Sequence, residues 1–225
     1  MGKGNGTTRN VTPSNMYGDS NNNPTLSLDQ IIQQETSSFL APQTDGRRSY
    51  DRVAFRNVGN IVTADAFAKN RKSSAIKEGV LDGIGRMYDS YDIPRLTQVA
   101  FYGENRFSNE AAATSPDGKY MRFNTSINSR NEAKEFAYHE MTHLMTGPKF
   151  ERLSNSASLR IQSIYYDAMK NISPAKGRGA AYFNYWRTNM YEFVSVSFQK
   201  ALTGQSMNEY EKRAFLLVHN SFKKK

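Results

Sequence analysis

The chain contains no cysteine. That absence excludes a disulfide-stapled scaffold, a thiolate zinc site, an iron–sulfur centre and a cysteine nucleophile together. Histidine is nearly as scarce: with three in 225 residues, any chemistry that needs imidazole must draw on His139, His143 and His219. No run of about 18 apolar residues occurs, which leaves no candidate for a membrane-spanning helix. The first thirty residues lack the apolar stretch of a signal peptide, and Gly6 stands where a myristoylation motif needs Ser or Thr. The expectation is a soluble chain, cytoplasmic in the producing cell, virion-associated, or delivered without a signal peptide.

What is present begins with charge. Lys and Arg number 30 against 21 Asp and Glu, a net +9. Residues 1–50 carry four basic and four acidic side chains and cancel, whereas the chain from Thr146 onward carries 13 basic and five acidic ones. Three of the 13 are the terminal Lys223, Lys224 and Lys225. No arginine-rich helix with interleaved aromatics and no zinc-finger pattern accompanies the excess. A basic surface favours acidic partners, so nucleic acid is an option without a specific reader.

Residues 1–45 are rich in Gly, Asn, Ser, Thr and Pro and have too little apolar surface to offset their ordering entropy, so a largely disordered segment is expected. Leu26 to Leu40 is the exception, where Leu28, Ile31 and Ile32 can form a short amphipathic turn or docking segment. Residues 46–75 read as a lead-in, and 76–225 as one α+β domain. Within it, apolar spacing predicts a helix from Ile76 that stops before Pro94, then a strand over Leu96 to Tyr102. Ser115-Pro116-Asp117-Gly118 is a turn, and Met121, Phe123, Thr125 and Ile127 alternate with polar residues in a second strand. Ala111–Thr114 is placed as its hairpin arm. Ser129 and Glu132 cap a helix over 130–145, and further helices are expected over Asn155–Asn171 and Thr188–Thr203. Ser206 and Glu209 are read as the capping box of the last helix.

The capped helix carries His139-Glu140-Met141-Thr142-His143. Four residues advance a helix by about 400°, so both imidazoles leave one face, one turn apart. Both can reach a single Zn2+, while Glu140, turned by about 100°, can take a proton from the water the ion activates and pass it to the leaving amine. Composition alone gives roughly 0.002 expected occurrences of the pattern in such a chain. A third ligand is needed. Thr146 and Lys149 depart from the extended pattern that would supply a third histidine, leaving Glu151, Asp167, Glu192, Glu209, Glu211 and His219. Glu192 stands alone on an otherwise apolar helix, where a buried carboxylate needs a compensating cation. Asp167 is the competitor, with Arg160 and Lys170 nearby as surface partners. His219 reads as a satisfied or solvated histidine.

The order strand, strand, His-Glu-x-x-His helix, Glu-bearing helix resembles the zincin metallopeptidases that use a glutamate ligand, the gluzincins. The 49-position gap from His143 to Glu192 and the Asn189-x-x-Glu192-Phe193 segment are most similar to the catalytic domains of the anthrax lethal factor type and their toxin- and phage-associated relatives. The resemblance covers about residues 76–222. It implies a zincin-like metallopeptidase domain with a small twisted sheet, an active-site helix and C-terminal helices. It also implies a zinc-dependent endopeptidase acting on a protein or peptide, with metal ligands His139, His143 and Glu192 and with Glu140 as general base. Tyr185, seven residues before Glu192, would be the oxyanion donor, and Asn124 would present backbone to a substrate strand. The family's further glutamate one turn after the ligand is Val196 here. The opening Met1-Gly2-Lys3-Gly4 is similar to the starts of some phage and mobile-element proteins. An alternative reading is therefore a virion or assembly protein that keeps the fold without proteolysis. A second alternative is a basic nucleic-acid-associated protein.

Overall fold

The computed structural model describes residues 26–40, 47–104, 110–147 and 149–225. The Gly- and Asn-rich stretch before residue 26, including the Met1–Gly4 start, lies outside them. Element order is α1 (Leu28–Leu40), α2 (Arg47–Asn57), β1 (Val58–Thr63), α3 (Asp65–Ala68), α4 (Ser73–Ser90), β2 (Leu96–Tyr102), β3 (Ala112–Thr114), β4 (Tyr120–Asn124), α5 (Arg130–Thr146), α6 (Asn155–Asn171), α7 (Ala180–Phe183), a 3-10 turn at Tyr185–Arg187, α8 (Met190–Thr203) and α9 (Glu209–Phe222). The class is α+β, predominantly helical with one small mixed sheet.

The four strands lie in the order β1-β2-β4-β3. β1 and β4 both run parallel to β2, and β3 closes the sheet antiparallel to β4 as the expected hairpin arm. Period-2 alternation puts Val99 and Phe101 of β2 and Met121 and Phe123 of β4 in the core, and Leu96 at the start of β2 is buried as well. β3 is the sheet edge. Its neighbour hydrogen bonds run from Asn124 N–H to the Ala111 carbonyl and from Ser115 N–H to the Tyr120 carbonyl. By alternation, the main-chain groups of Ala112 and Thr114 face away from β4.

α5 is central. Ser129 caps it by accepting from the Glu132 N–H, while the Glu132 carboxylate accepts from Asn128 N–H. α4 packs along it at backbone distance: a Cβ added at Gly79 would fall 2.2 Å from the Arg130 carbonyl oxygen, and one at Gly83 would fall 2.7 Å from the Ala137 Cβ. Only glycine fits at either place.

The segment set apart at Leu26 to Leu40 is a full helix, Leu28–Leu40, docked on α8 and α9, and is longer than the short turn expected there. Ile32, Thr36 and Phe39 are buried along one stripe, and the Phe39 carbonyl accepts from the buried Arg86 guanidinium at 2.8 Å. The residues 46–75 are not merely a lead-in: α2 packs on α4, and β1 is a strand of the sheet. The domain therefore begins with α1. The last helix is capped by Asn208 and Glu211, whose side chains bond reciprocally to each other's N–H groups, and not by Ser206 and Glu209. No helix among the described residues is long and apolar enough to cross a membrane.

Candidate metal centre

α5 and α8 pack against each other, and their facing surfaces bring three side chains to one point. His139 Nε2 lies 2.9 Å from Glu192 Oε2, His143 Nε2 lies 3.5 Å from the same oxygen, and the two Nε2 atoms are 3.2 Å apart. A tetrahedral ion with ligands at about 2.0–2.1 Å sets neighbouring ligand atoms about 3.3–3.4 Å apart. The three separations bracket that value. Two ring nitrogens and a carboxylate oxygen are also the donor types that zinc takes. The residues fit a metal, and this is the one such group among the described residues.

Glu192 reaches the site through its helix start. Asn189 is the N-cap of α8, its side chain accepting from the N–H groups of Tyr191 and Glu192. Asn-x-x-Glu has capping-box spacing, yet the carboxylate turns to the histidines. Burial alone would raise the Glu192 carboxyl. The hydrogen bonds from His139 and His143 outweigh it and hold the group well below the usual carboxylate range. Burial likewise opposes a proton on His143, but the Glu192 hydrogen bond and the Glu140 and Glu192 charges raise it overall. The site is thus a place where a positive charge is stabilised.

Glu140 stays outside the three-residue cluster and lines the adjoining pocket, a cavity of about 280 Å³ shared with β3, Tyr185, Asn189 and Tyr191. Thr114 on the sheet edge donates to Glu140 Oε2 at 2.7 Å, which fixes one carboxylate oxygen. Tyr185 lies across the pocket, half-exposed, its ring centroid 6.0 Å from that of His139. Burial and then the Glu192 and Glu140 carboxylates push its phenol far up, so it keeps its proton and remains a donor.

The remaining candidates go elsewhere. Asp167 is exposed on α6, and Glu151 and Glu209 are exposed. Glu211 is buried in its capping box with Lys200 Nζ at 2.6 Å. His219 pairs with Tyr91 and Glu35. Asn124 does not sit at a sheet edge. β4 has neighbours on both sides, and the Asn124 side chain is buried, donating to the Glu110 carbonyl; β3 occupies the edge instead.

Two residues escaped the sequence. Thr114 is placed by strand pairing, and no local pattern marks it. Ser195, three residues after Glu192, puts its hydroxyl 3.3 Å from His143 Nδ1. A polar residue one turn from a candidate ligand was the available signal. Comparison of the chain with protein-family models, with curated proteins and with solved structures returned no match in any of the three.

Proposed function

We propose that this protein is a zinc-dependent endopeptidase of the zincin type, with His139, His143 and Glu192 as metal ligands. The convergence of those three donor atoms, with Glu140 on the same pocket wall, carries the reading. Zinc in that position supplies a Lewis acid that acidifies a water molecule and polarises a peptide carbonyl. Glu140 is the general base. Thr114 occupies its Oε2, which leaves the other oxygen to take a proton and later return it to the leaving amine. Tyr185, held protonated, offers a hydrogen bond to the oxygen on which negative charge grows.

The substrate backbone is held at the β3 edge. Ala112 and Thr114 present main-chain donors and acceptors there, beside Glu140, and an extended peptide adds to such an edge as a further strand. Because Thr114 also bonds Glu140, the strand that holds the substrate positions the base.

The test has two parts. Purified protein is expected to contain one zinc per chain by elemental analysis, lost in His139→Ala and His143→Ala. Glu140→Gln is expected to keep zinc and fold while cleavage of a peptide library falls at least about 100-fold. Zinc retained in both histidine variants would dismiss the metal centre. Zinc binding with no cleavage by the wild type would leave the centre and dismiss the peptidase.

A further inference from the structure

α8 contains two buried serines that behave differently. Ser197 donates to the Phe193 carbonyl one turn back at 2.7 Å, the usual resort of a hydroxyl inside a helix. Thr142 and Thr146 on α5 and Thr203 on α8 do the same with their own preceding turns. Ser195 is as buried as Ser197, yet its hydroxyl is directed across the helix interface to His143 Nδ1.

We propose that Ser195 is the positioning residue that fixes His143 as a metal ligand; the inference rests on the metal-centre reading above. An imidazole ligates through one nitrogen only when its proton sits on the other. His143 directs Nε2 into the cluster, where His139 Nε2 and Glu192 Oε2 already stand. Its proton therefore belongs on Nδ1, and Ser195 Oγ is the acceptor that holds it there. Were the bond reversed, with Ser195 donating to Nδ1, Nε2 would carry the proton and point it at the ion. The bond thus selects both the ring tautomer and the ring plane.

Helix geometry makes this economical. Positions three apart lie on one face of a helix, so α8 delivers the third ligand, Glu192, and the support for the second ligand, His143, from adjacent turns. Val196, the next residue, offers no polar atom, so the task falls to Ser195.

The test reads metal affinity, with no need for a substrate. Zinc dissociation constants are measured by competition with a chromogenic chelator for wild type, Ser195→Ala and Ser197→Ala, alongside the melting temperature of each metal-free protein. Ser195→Ala is expected to bind zinc about 10- to 100-fold more weakly, the usual cost of a lost support to a ligand histidine. Its metal-free melting temperature is expected to match wild type, and Ser197→Ala is expected to bind zinc as wild type does. An affinity for Ser195→Ala within about 3-fold of wild type would overturn the assignment. An equal loss in both serine variants would do so as well, since it would report helix packing. Should Ser195→Ala fail to fold, Ser195→Val, which fills the site without an acceptor, is read in its place with the same expected loss. If the wild type itself binds no zinc, the metal-centre reading falls before any variant is compared and takes this assignment with it.

Discussion

Two clusters of histidine and glutamate occur among the described residues, and they differ in how their charges and protons close. At His219 every group has its complement. Tyr91 lies 2.9 Å from Nδ1, Glu35 Oε2 lies 3.0 Å from Nε2, and Lys223 Nζ reaches the same carboxylate oxygen at 2.8 Å. One donor, one acceptor and one cation satisfy a neutral imidazole and a carboxylate, so nothing further is called for. At His139 and His143, three atoms that can each offer a lone pair face one another, and no Lys or Arg among the described residues lines the adjoining pocket. The first cluster is a clasp between α1 and α9. The second has the form of a socket. Residue types alone do not separate the two; the presence of an internal cation does.

The largest effect expected from breaking this contrast lies on the clasp. Deleting residues 1–40 removes α1, its buried Ile32 and Phe39, and the partners of Lys212, His219 and Lys223. Burial of two such side chains is worth roughly 3–6 kcal/mol, so the melting temperature of the metal-free protein is expected to fall by about 10 °C or more. An unchanged melting curve would show that α1 contributes no stability.

The socket comes next. Glu192→Ala is expected to weaken zinc binding by at least about 100-fold, whereas Asp167→Ala, on the exposed face of α6, leaves it at the wild-type value. Chelator competition reads both, and the reverse result would reassign the third ligand. Glu35→Ala belongs to the same experiment. It breaks the clasp and is expected to lower the melting temperature without altering zinc affinity.

A smaller effect is expected at the edge strand. Thr114→Val keeps the shape of the side chain and removes its hydrogen bond to Glu140, so turnover is expected to drop about 10-fold with zinc content unchanged. Equal turnover would show that Glu140 is held by other means.

The smallest concerns pH. Burial of its ring, only partly offset by Glu35, holds His219 below its ordinary value. As pH falls through about 6.5 the unfolded chain takes up a proton that the folded chain resists, and stability declines. The Lys223 hydrogen bond, opposed by slight burial and helped by His219, lowers the Glu35 carboxyl. Its contribution is present above about pH 4.5 and is lost only as pH falls through the lowered value, outside this window. Between pH 7.5 and 5.5 the wild type is therefore expected to lose more melting temperature than His219→Gln, which cannot titrate. Parallel losses would remove His219 as the cause.

The parts of this structure that were legible in the sequence are those whose signals are local. α5 declares itself by its Ser129–Glu132 cap, α6 by apolar spacing, β2 as a short apolar run and β4 by its alternation. The His-Glu-x-x-His pair needs only helix geometry, and Glu192 stands out as a lone carboxylate on a largely apolar helix. α1 was legible only as a short turn or docking segment, because its buried stripe is one residue wide, Ile32, Thr36 and Phe39, within a polar stretch. β1 was obscured because its partner β2 lies across the α3–α4 crossover, and parallel pairing leaves no turn between the strands to read. Thr114 and Ser195 act over separations of 26 and 52 residues, which no window along the chain spans.

The close approach of α4 to α5 bears on how this sequence can diverge. A bulky core residue can be exchanged when a neighbour changes size in compensation. Gly79 and Gly83 have no such freedom, because main chain, or the Ala137 methyl, already stands where a Cβ would go. A single methyl at either position must displace one of the two helices, and α5 holds His139, Glu140 and His143. Two residues with no chemistry of their own thus limit drift around the site as firmly as its histidines do. In a lineage descended from this chain, the surface of α4 can be rewritten freely, while those two positions change only if the histidine-bearing helix is reset as a whole.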